Sequence, residues 1–412
     1  MDEEDDSGDV FVNEEDIVEE INMDDEELPD ADEDEEEGGF DGAGGRFGDD
    51  DDDEDDDDDS MHTFTGHSGE LYTVVCSPTD PSLVATGGGD DKCFLWKIGQ
   101  GDWAFELLGH GDSVSTLAFS NDGLLLASGS LDGVIKVWDI PSGNLKCTLD
   151  GPAGGIEWLR WHPRGHVLLA GSEDSTLWMW NADRGGAYLN MFTGHASSVT
   201  CGDFTPDGKL ICSGSDDAAL RVWNPQTGDT IHVVRGHPYH TQGLTCMAMK
   251  AASADSSLAI TGSNDGSVHI VNINTGKVVT SLISHMDPAH TETAHSDSVE
   301  CVGFAPSSPW AATGGLDNKL IIWDLDHSVP RSICDHPDGV TCLRWLGSSR
   351  YIATGCVDGK VRVWDSLSGL CARTFSGHSH AIQVFAVSSN LDFIVSSSLD
   401  GTARVFEVHD LR

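Results

Sequence analysis

The strongest constraint on this chain is a spacing that recurs eight times. An aspartate stands at Asp90, Asp132, Asp174, Asp217, Asp265, Asp317, Asp358 and Asp400. Six residues after each aspartate come Trp96, Trp138, Trp180, Trp223, Val271, Trp323, Trp364 and Phe406. Successive copies lie mostly 41 to 43 residues apart, with two longer steps around Val271. Such a period indicates one supersecondary unit repeated along the chain.

The stretch 110–139 shows what one unit contains. It has three short apolar runs, VSTLAF, LLLASGS and VIKVWD, separated by the turn-forming segments 121–123 and 131–133. Runs of this kind predict antiparallel strands joined by hairpins. A sheet this small cannot bury both of its faces alone, so we expect the copies to stack on one another.

Five repeats combine a histidine, a hydroxyl residue, the aspartate and a tryptophan. The sets are His67, Thr86, Asp90 and Trp96; His110, Ser128, Asp132 and Trp138; His195, Ser213, Asp217 and Trp223; His295, Thr313, Asp317 and Trp323; and His336, Thr354, Asp358 and Trp364. We predict a hydrogen-bonded chain in each set, from indole to hydroxyl to imidazole to carboxylate. Because the Ser/Thr-His-Asp trio recurs at a structural spacing, it favours a structural network over a hydrolase site.

The third and fifth repeats depart from this pattern. The third has Pro152 in place of the histidine and Ala170 in place of the hydroxyl residue. The fifth has Val271 in place of tryptophan and two insertions, at 238–243 and 283–294. Loops longer than their counterparts in other repeats are frequent sites of function.

The charge of the chain is strongly negative and unevenly distributed. Residues 1–60 hold 34 of the 71 acidic residues and one basic residue, within a formal net charge of −49. This excess of acid disfavours direct binding of nucleic acid, which depends on neutralising phosphates. It favours a basic protein or peptide as the partner, because complementary potentials steer association.

The composition also bears on location and cofactors. None of the 11 cysteines forms a C-x-x-C pair, and no apolar stretch is long enough for a membrane span. We therefore expect no disulfide framework, no metal, no cofactor and no membrane association. There is no basic cluster to serve as a nuclear import signal, so a cytoplasmic protein is expected, although entry to the nucleus stays open.

A period of about 40–45 residues bounded by Gly-His and Trp-Asp resembles the WD40 repeat over residues 61–412. The resemblance implies an all-β WD40 β-propeller with eight blades, or seven if a weak repeat fails to form one. It also implies that the strand at 61–67 pairs with the last blade and closes the ring. Residues 1–60 are expected to form a disordered acidic N-terminal tail, because they have little apolar surface to bury.

The acidic leader and eight repeats, with the HTFTGHSGELYTVVCSP opening and the GGLDNKLIIWD stretch, are similar to the angio-associated migratory cell protein family. Fungal relatives of that family are dedicated chaperones of a newly made, very basic large-subunit ribosomal protein. The resemblance implies a non-catalytic monomer that covers a basic segment of its client during ribosome biogenesis.

The same resemblance implies which loops surround the mouth of the channel. The partner-binding residues expected there are Glu70, Tyr72, Asp112, Glu157, Trp158, Glu173, Asp216, Asp297, Glu300 and Asp338. Carboxylates suit lysine and arginine, and aromatic rings suit their stems or guanidinium planes. We expect a basic ribosomal protein segment across this acidic top face.

Two other functions fit the fold. One is an adaptor or chaperone for a different basic client, such as a histone. The other is a ubiquitin-ligase substrate receptor, which commonly shows Trp-Asp-x-Arg at the end of a blade. Here Trp138-Asp139, Trp323-Asp324 and Trp364-Asp365 lack that arginine, which disfavours the receptor.

Overall fold

The computed structural model describes residues 57–101, 104–250, 258–282 and 294–411. Within these ranges, eight antiparallel sheets of four strands each form the blades of a β-propeller. The predicted all-β fold with eight blades is confirmed, and the alternative of seven blades is wrong because both weak repeats form complete sheets. Residues 1–56 lie outside the described ranges, so the disorder expected for the tail stays a prediction.

The strands follow one another around the ring, four to a blade. The first strand, β1 (His62–Phe64), is followed by blade one, β2 (Leu71–Cys76), β3 (Leu83–Gly88), β4 (Cys93–Lys97) and β5 (Ala104–Leu107); blade two, β6 (Val114–Phe119), β7 (Leu125–Ser130), β8 (Ile135–Asp139) and β9 (Asn144–Leu149); blade three, β10 (Ile156–Trp161), β11 (Val167–Ser172), β12 (Leu177–Asn181) and β13 (Ala187–Phe192); and blade four, β14 (Cys201–Phe204), β15 (Ile211–Gly214), β16 (Leu220–Trp223) and β17 (Thr230–Val234).

The second half repeats the arrangement. Blade five is β18 (Leu244–Met249), β19 (Leu258–Ser263), β20 (Val268–Asn272) and β21 (Lys277–Ser281); blade six is β22 (Val299–Phe304), β23 (Trp310–Gly315), β24 (Lys319–Asp324) and β25 (Val329–Asp335); blade seven is β26 (Val340–Trp345), β27 (Tyr351–Cys356), β28 (Val361–Asp365) and β29 (Leu370–Phe375); and blade eight is β30 (Ile382–Val387), β31 (Phe393–Ser398), β32 (Ala403–Glu407) and β1. Two 3-10 helices span Ala182–Arg184 and His409–Leu411.

The hydrophobic core lies between blades rather than within them. One cluster joins Ile135 and Val137 of blade two to Leu168 and Trp180 of blade three, and the other clusters also span neighbouring blades. A blade alone would leave these side chains in water. The blades therefore stabilise one another by burying apolar surface around the ring.

The seams between blades are tight because a glycine in the second strand faces the first strand of the next blade. A Cβ atom on Gly129 would lie 2.7 Å from the Ile156 Cγ2, and one on Gly262 would lie 2.7 Å from the Val299 Cγ1. The recurring cysteines occupy the same seams, and all eleven cysteines are free. Small side chains at these positions let adjacent sheets approach closely.

The ring is closed by the chain that precedes the first blade. Strand β1 pairs antiparallel with β32, with Phe64 opposite Ala403. Just before β1, the Asp59 carboxylate accepts a hydrogen bond from the Ser376 amide at 2.8 Å, and Asp58 forms an ion pair with Arg404. This pairing covers the outer edge of blade eight, which would otherwise be open for association with another chain.

Candidate binding surface at the channel mouth

The loops at one end of the blades are held by buried hydrogen-bond chains. In blade one, the Trp96 indole donates to the Thr86 hydroxyl at 3.3 Å, and the two His67 ring nitrogens bond to Thr86 at 3.0 Å and to Asp90 at 2.8 Å. Blades four and six have the same bonds. Thr86 is fully buried, so its hydroxyl is closed to solvent and its hydrogen bonds hold the loops together.

Two of the five predicted sets differ at the carboxylate. In blade two, the His110 Nδ1 and the nearest Asp132 oxygen are 3.6 Å apart, beyond a good hydrogen bond. In blade seven, the predicted bond between His336 and Asp358 is wrong. Asp358 instead binds the Arg362 guanidinium at 2.5 Å, while the His336 Nδ1 bonds to the Cys334 carbonyl at 3.1 Å. Arg362 binds this carboxylate in place of His336 because its guanidinium group offers two charged donors.

Blades five and eight contain networks that the sequence sets did not include. In blade five, Tyr239 and His240 both bond to the Thr261 hydroxyl, at 3.1 and 2.8 Å, so the tyrosine hydroxyl replaces the missing indole. In blade eight, His378 bonds to Ser396 at 2.7 Å and to Asp400 at 2.8 Å. His378 lies as far before its aspartate as the histidines of most of the predicted sets do, so the sequence could have revealed it. His240 lies within an insertion and therefore does not follow the common spacing.

The innermost strands place one side chain from each blade around the mouth of the channel. Their register shifts at the second residue in seven blades, which turns that residue toward the channel. The cavities at the mouth are lined by Tyr72, Ser115, Glu157, Thr200, Thr245, Glu300, Thr341 and Gln383. The serine and the threonines face the next blade; for example, Ser115 donates to the Ile156 carbonyl at 2.5 Å and Thr341 to the Ile382 carbonyl at 2.7 Å. Tyr72, Glu157, Glu300 and Gln383 give the mouth its longer side chains.

Three of the expected acids lie close together beside blades three and four. Burial raises the pKa of Glu157, and the negative charges of Glu173 and Asp216 raise it further. Glu157 accepts a hydrogen bond from Ser198 at 3.3 Å, and Glu173 accepts one from the Gly155 amide at 3.1 Å. None of the three carboxylates has a lysine or arginine partner among the described residues. Because the charges of Glu173 and Asp216 disfavour the ionised form of Glu157, a cation bound at this acidic cluster would stabilise it.

The other expected acids are distributed along the same loops. Glu70 accepts a hydrogen bond from the Tyr72 hydroxyl at 2.9 Å, and Glu300 accepts one from Ser298 at 2.6 Å. Three aspartates each accept a hydrogen bond from the amide of the following residue and keep oxygen atoms free for a ligand. They are Asp112, Asp297 and Asp338.

The position of Trp158 differs from the exposed, partner-binding position expected for it. Its side chain is only 5% exposed, so its ring does not offer an open face to a partner. The indole lies in the seam between blades three and four, over Gly171 and Gly202, and donates to the Val199 carbonyl at 2.8 Å. The preceding residue, Glu157, lies at the register shift and lines the channel. The Trp158 side chain therefore lies in the seam between the two blades.

Comparison with known proteins agrees with the blade assignment. A family model described as WD domain, G-beta repeat, matches residues 58–97, 102–139, 143–181, 186–224, 228–272, 286–324, 328–365 and 369–407. The human angio-associated migratory cell protein (Homo sapiens) is 35% identical over 349 residues, which cover 84% of this chain and 79% of the human protein. The chain belongs to the WD40 proteins and, among them, to the angio-associated migratory cell protein family.

Solved structures show where the fold of this family recurs. Chaetomium thermophilum Sqt1, in a crystal structure bound to the N-terminus of the ribosomal protein L10, is similar with a TM-score of 0.75 and 23% identity, covering 85% of this chain and all of that one. Saccharomyces cerevisiae Sqt1 has a TM-score of 0.75 at 21% identity, covering 85% of this chain and 99% of that one. At this level of identity, the likeness shows a shared fold.

For this member of the angio-associated migratory cell protein family, fold and relatives together support a binding or scaffold role. Within the described ranges, no group of three His, Cys, Asp or Glu side chains could hold a metal ion. The second insertion, at 283–294, lies outside those ranges apart from Ala294. No helix in the described part of the chain is long and apolar enough to cross a membrane.

Proposed function

We propose that this protein is a chaperone that holds a basic segment of a newly made large-subunit ribosomal protein across its acidic top face until the client joins the pre-ribosome. The observation that supports this most directly is the cluster of Glu157, Glu173 and Asp216. A lysine or arginine side chain of the client would stabilise the ionised form of Glu157, which the charges of Glu173 and Asp216 disfavour.

The charge of the whole top face supports the same class of client. Carboxylates from six of the eight blades surround the mouth, and two bases of the neighbouring hairpins are paired with acids of their own blades. Lys92 binds Glu106 at 2.6 Å, and Arg362 binds Asp358. A basic segment would therefore meet unpaired carboxylates first, which speeds association and excludes acidic competitors such as nucleic acid.

The ribosomal client is suggested by the structural neighbour. Sqt1 was crystallised with the N-terminus of ribosomal protein L10, and its blades superimpose on those of this chain. The proposed chaperone acts in the cytoplasm, where a newly made client would be captured, and is proposed to act as a monomer. A histone-type client would use the same acidic surface, so the identity of the basic segment has to be measured directly.

The experiment compares two peptides of equal length and net charge by isothermal titration calorimetry. One is the N-terminal segment of ribosomal protein L10, and the other is a histone tail segment. We expect the L10 peptide to bind at least tenfold more tightly. Equal or tighter binding of the histone peptide would contradict the ribosomal assignment, and failure of both peptides would contradict the top-face model itself.

A further inference from the structure

The waist of the channel, below the acidic mouth, has a different charge. It is formed by the residue three positions after each mouth residue. This is the fifth residue of the innermost strand in seven blades and the third residue of the shorter strand β14 in blade four. In five blades this residue is small or aliphatic: Val75, Ala118, Ala248, Gly303 and Ala386. In blades three, four and seven it is Arg160, Asp203 and Arg344. Arg160 and Arg344 line one cavity of about 520 Å³.

The charges at the waist do not balance. Arg160 has a partial partner, because its Nε lies 3.7 Å from Asp203 and its Nη1 donates to the Leu159 carbonyl at 2.8 Å. Arg344 has no hydrogen bond or ion pair to any residue in the described ranges. Arg344 is exposed to the channel cavity that it lines; desolvation lowers its pKa and the positive charge of Arg160 lowers it further, while the negative charge of Asp203 acts in the opposite direction. The two guanidinium groups thus act on one another and share one carboxylate at the level of the waist, Asp203, while Glu157 lines the same cavity from the side of the mouth.

A guanidinium group presents a planar fork of donors that matches the two oxygens of a carboxylate or phosphate. Two such groups facing one cavity repel each other when it holds only water. An oxyanion between them removes that repulsion and satisfies the donors of Arg344. The cavity is large enough for such a group together with part of the molecule that carries it.

We propose that the waist of the channel is a binding site for an oxyanion, a carboxylate or a phosphate, held between Arg160 and Arg344. The mouth repels free anions, and it lies roughly 10 Å above the waist, given the rise of about 3.3 Å per residue along a strand. A ligand that offers cations to the mouth and one anion to the waist fits both layers. If the proposed function holds, that ligand is a basic segment with one acidic residue, whose carboxylate enters the channel.

The first test measures the melting temperature in sodium phosphate and in sodium chloride of equal ionic strength. The proteins are the wild type, Arg344→Met, which keeps an unbranched stem in the channel, and Arg373→Met, which removes an exposed arginine on an outer strand. Phosphate should raise the melting temperature of the wild type and of Arg373→Met by about 2 °C or more, and that of Arg344→Met not at all.

The second test separates a carboxylate of the client from a free anion. A series of arginine-rich twelve-residue peptides, with one glutamate moved along the chain, is compared with the glutamine versions. A carboxylate from the client gives at least fivefold tighter binding for glutamate at one position, and Arg344→Met abolishes that preference. A phosphate shift without this preference assigns the waist to a free anion.

The two outcomes also separate this inference from the proposed function. If no basic peptide binds, the proposed function is wrong, and the phosphate measurement still tests the waist. If phosphate shifts all three proteins equally and no glutamate position is preferred, the oxyanion site is wrong, whatever the basic peptides do.

Discussion

At the residue scale, four buried histidines are kept neutral by their surroundings. Burial lowers the pKa of His240 to about 3, with a further contribution from the neighbouring His269, and burial lowers the pKa of His269 to about 4. Burial likewise lowers the pKa of His110 and of His336 to about 4. A charged imidazole would disrupt its bond to the hydroxyl and face an apolar seam, so the folded state binds fewer protons than the unfolded chain.

The lowered pKa values of these histidines make the stability of the folded protein depend on pH. Between about pH 6.5 and pH 4 the unfolded chain protonates these histidines and the folded protein does not, so the free energy of unfolding falls as the pH falls. Each histidine contributes about 1.4 kcal/mol per pH unit at most. Chemical denaturation from pH 7 to pH 4 should show this slope, and His269→Gln should flatten it.

The exposed His380 provides the control for that measurement, and His380→Asn should keep the slope of the wild type. A free energy of unfolding that stays constant from pH 6.5 to pH 4, or an unchanged slope in His269→Gln, would contradict the assignment of neutral buried histidines.

At the element scale, β1 is three residues long yet connects the two ends of the ring. Its Phe64 side chain is buried and stacks on Trp96 of blade one, with ring centroids 4.8 Å apart, while its backbone pairs with β32 of blade eight. The strand therefore joins two blades by apolar packing and hydrogen bonds together.

Two truncations should separate this strand from the acidic leader. Removal of residues 1–56 should leave the melting temperature unchanged within about 1 °C, since the contacts of Asp58 and Asp59 remain. Removal of residues 1–66 should lower it by more than about 5 °C, because loss of a buried phenylalanine alone costs about 3–5 kcal/mol. Light scattering should detect association through the uncovered edge of β32. Equal stability of both truncated proteins would show that β1 does not close the ring.

Periodicity explains which elements could be predicted from the sequence. The eight aspartates and the residues six positions later predicted the number of blades, because each copy packs against neighbours of the same four-stranded architecture. Tyr239 and His240 escaped prediction since they occupy an insertion and satisfy Thr261 from outside the common spacing. The direction of individual side chains was harder to predict from the sequence than the number of blades. The register shift at Glu157 decides that Trp158 enters a seam, and no spacing in the sequence reports it.

At the scale of the whole molecule, two layers of charge follow the channel. Acidic residues surround the mouth, and Arg160 and Arg344 lie below them. The loops were informative in the sequence because acidic residues stand at corresponding loop positions in several repeats. The waist was missed because its residues lie within strands, where arginine next to apolar residues reads as an ordinary exposed position.

The most direct test of the acidic mouth is the affinity for a basic peptide after local neutralisation of charge. Glu157→Gln, Glu173→Gln and Asp216→Asn are combined in one variant. The matched control combines Asp229→Asn, Asp326→Asn and Glu407→Gln, which remove the same charge from the opposite end of the blades. Calorimetry at low and physiological salt should show at least tenfold weaker binding and a reduced salt dependence for the first variant, with the control close to the wild type. Equal affinity of the two variants would contradict the account.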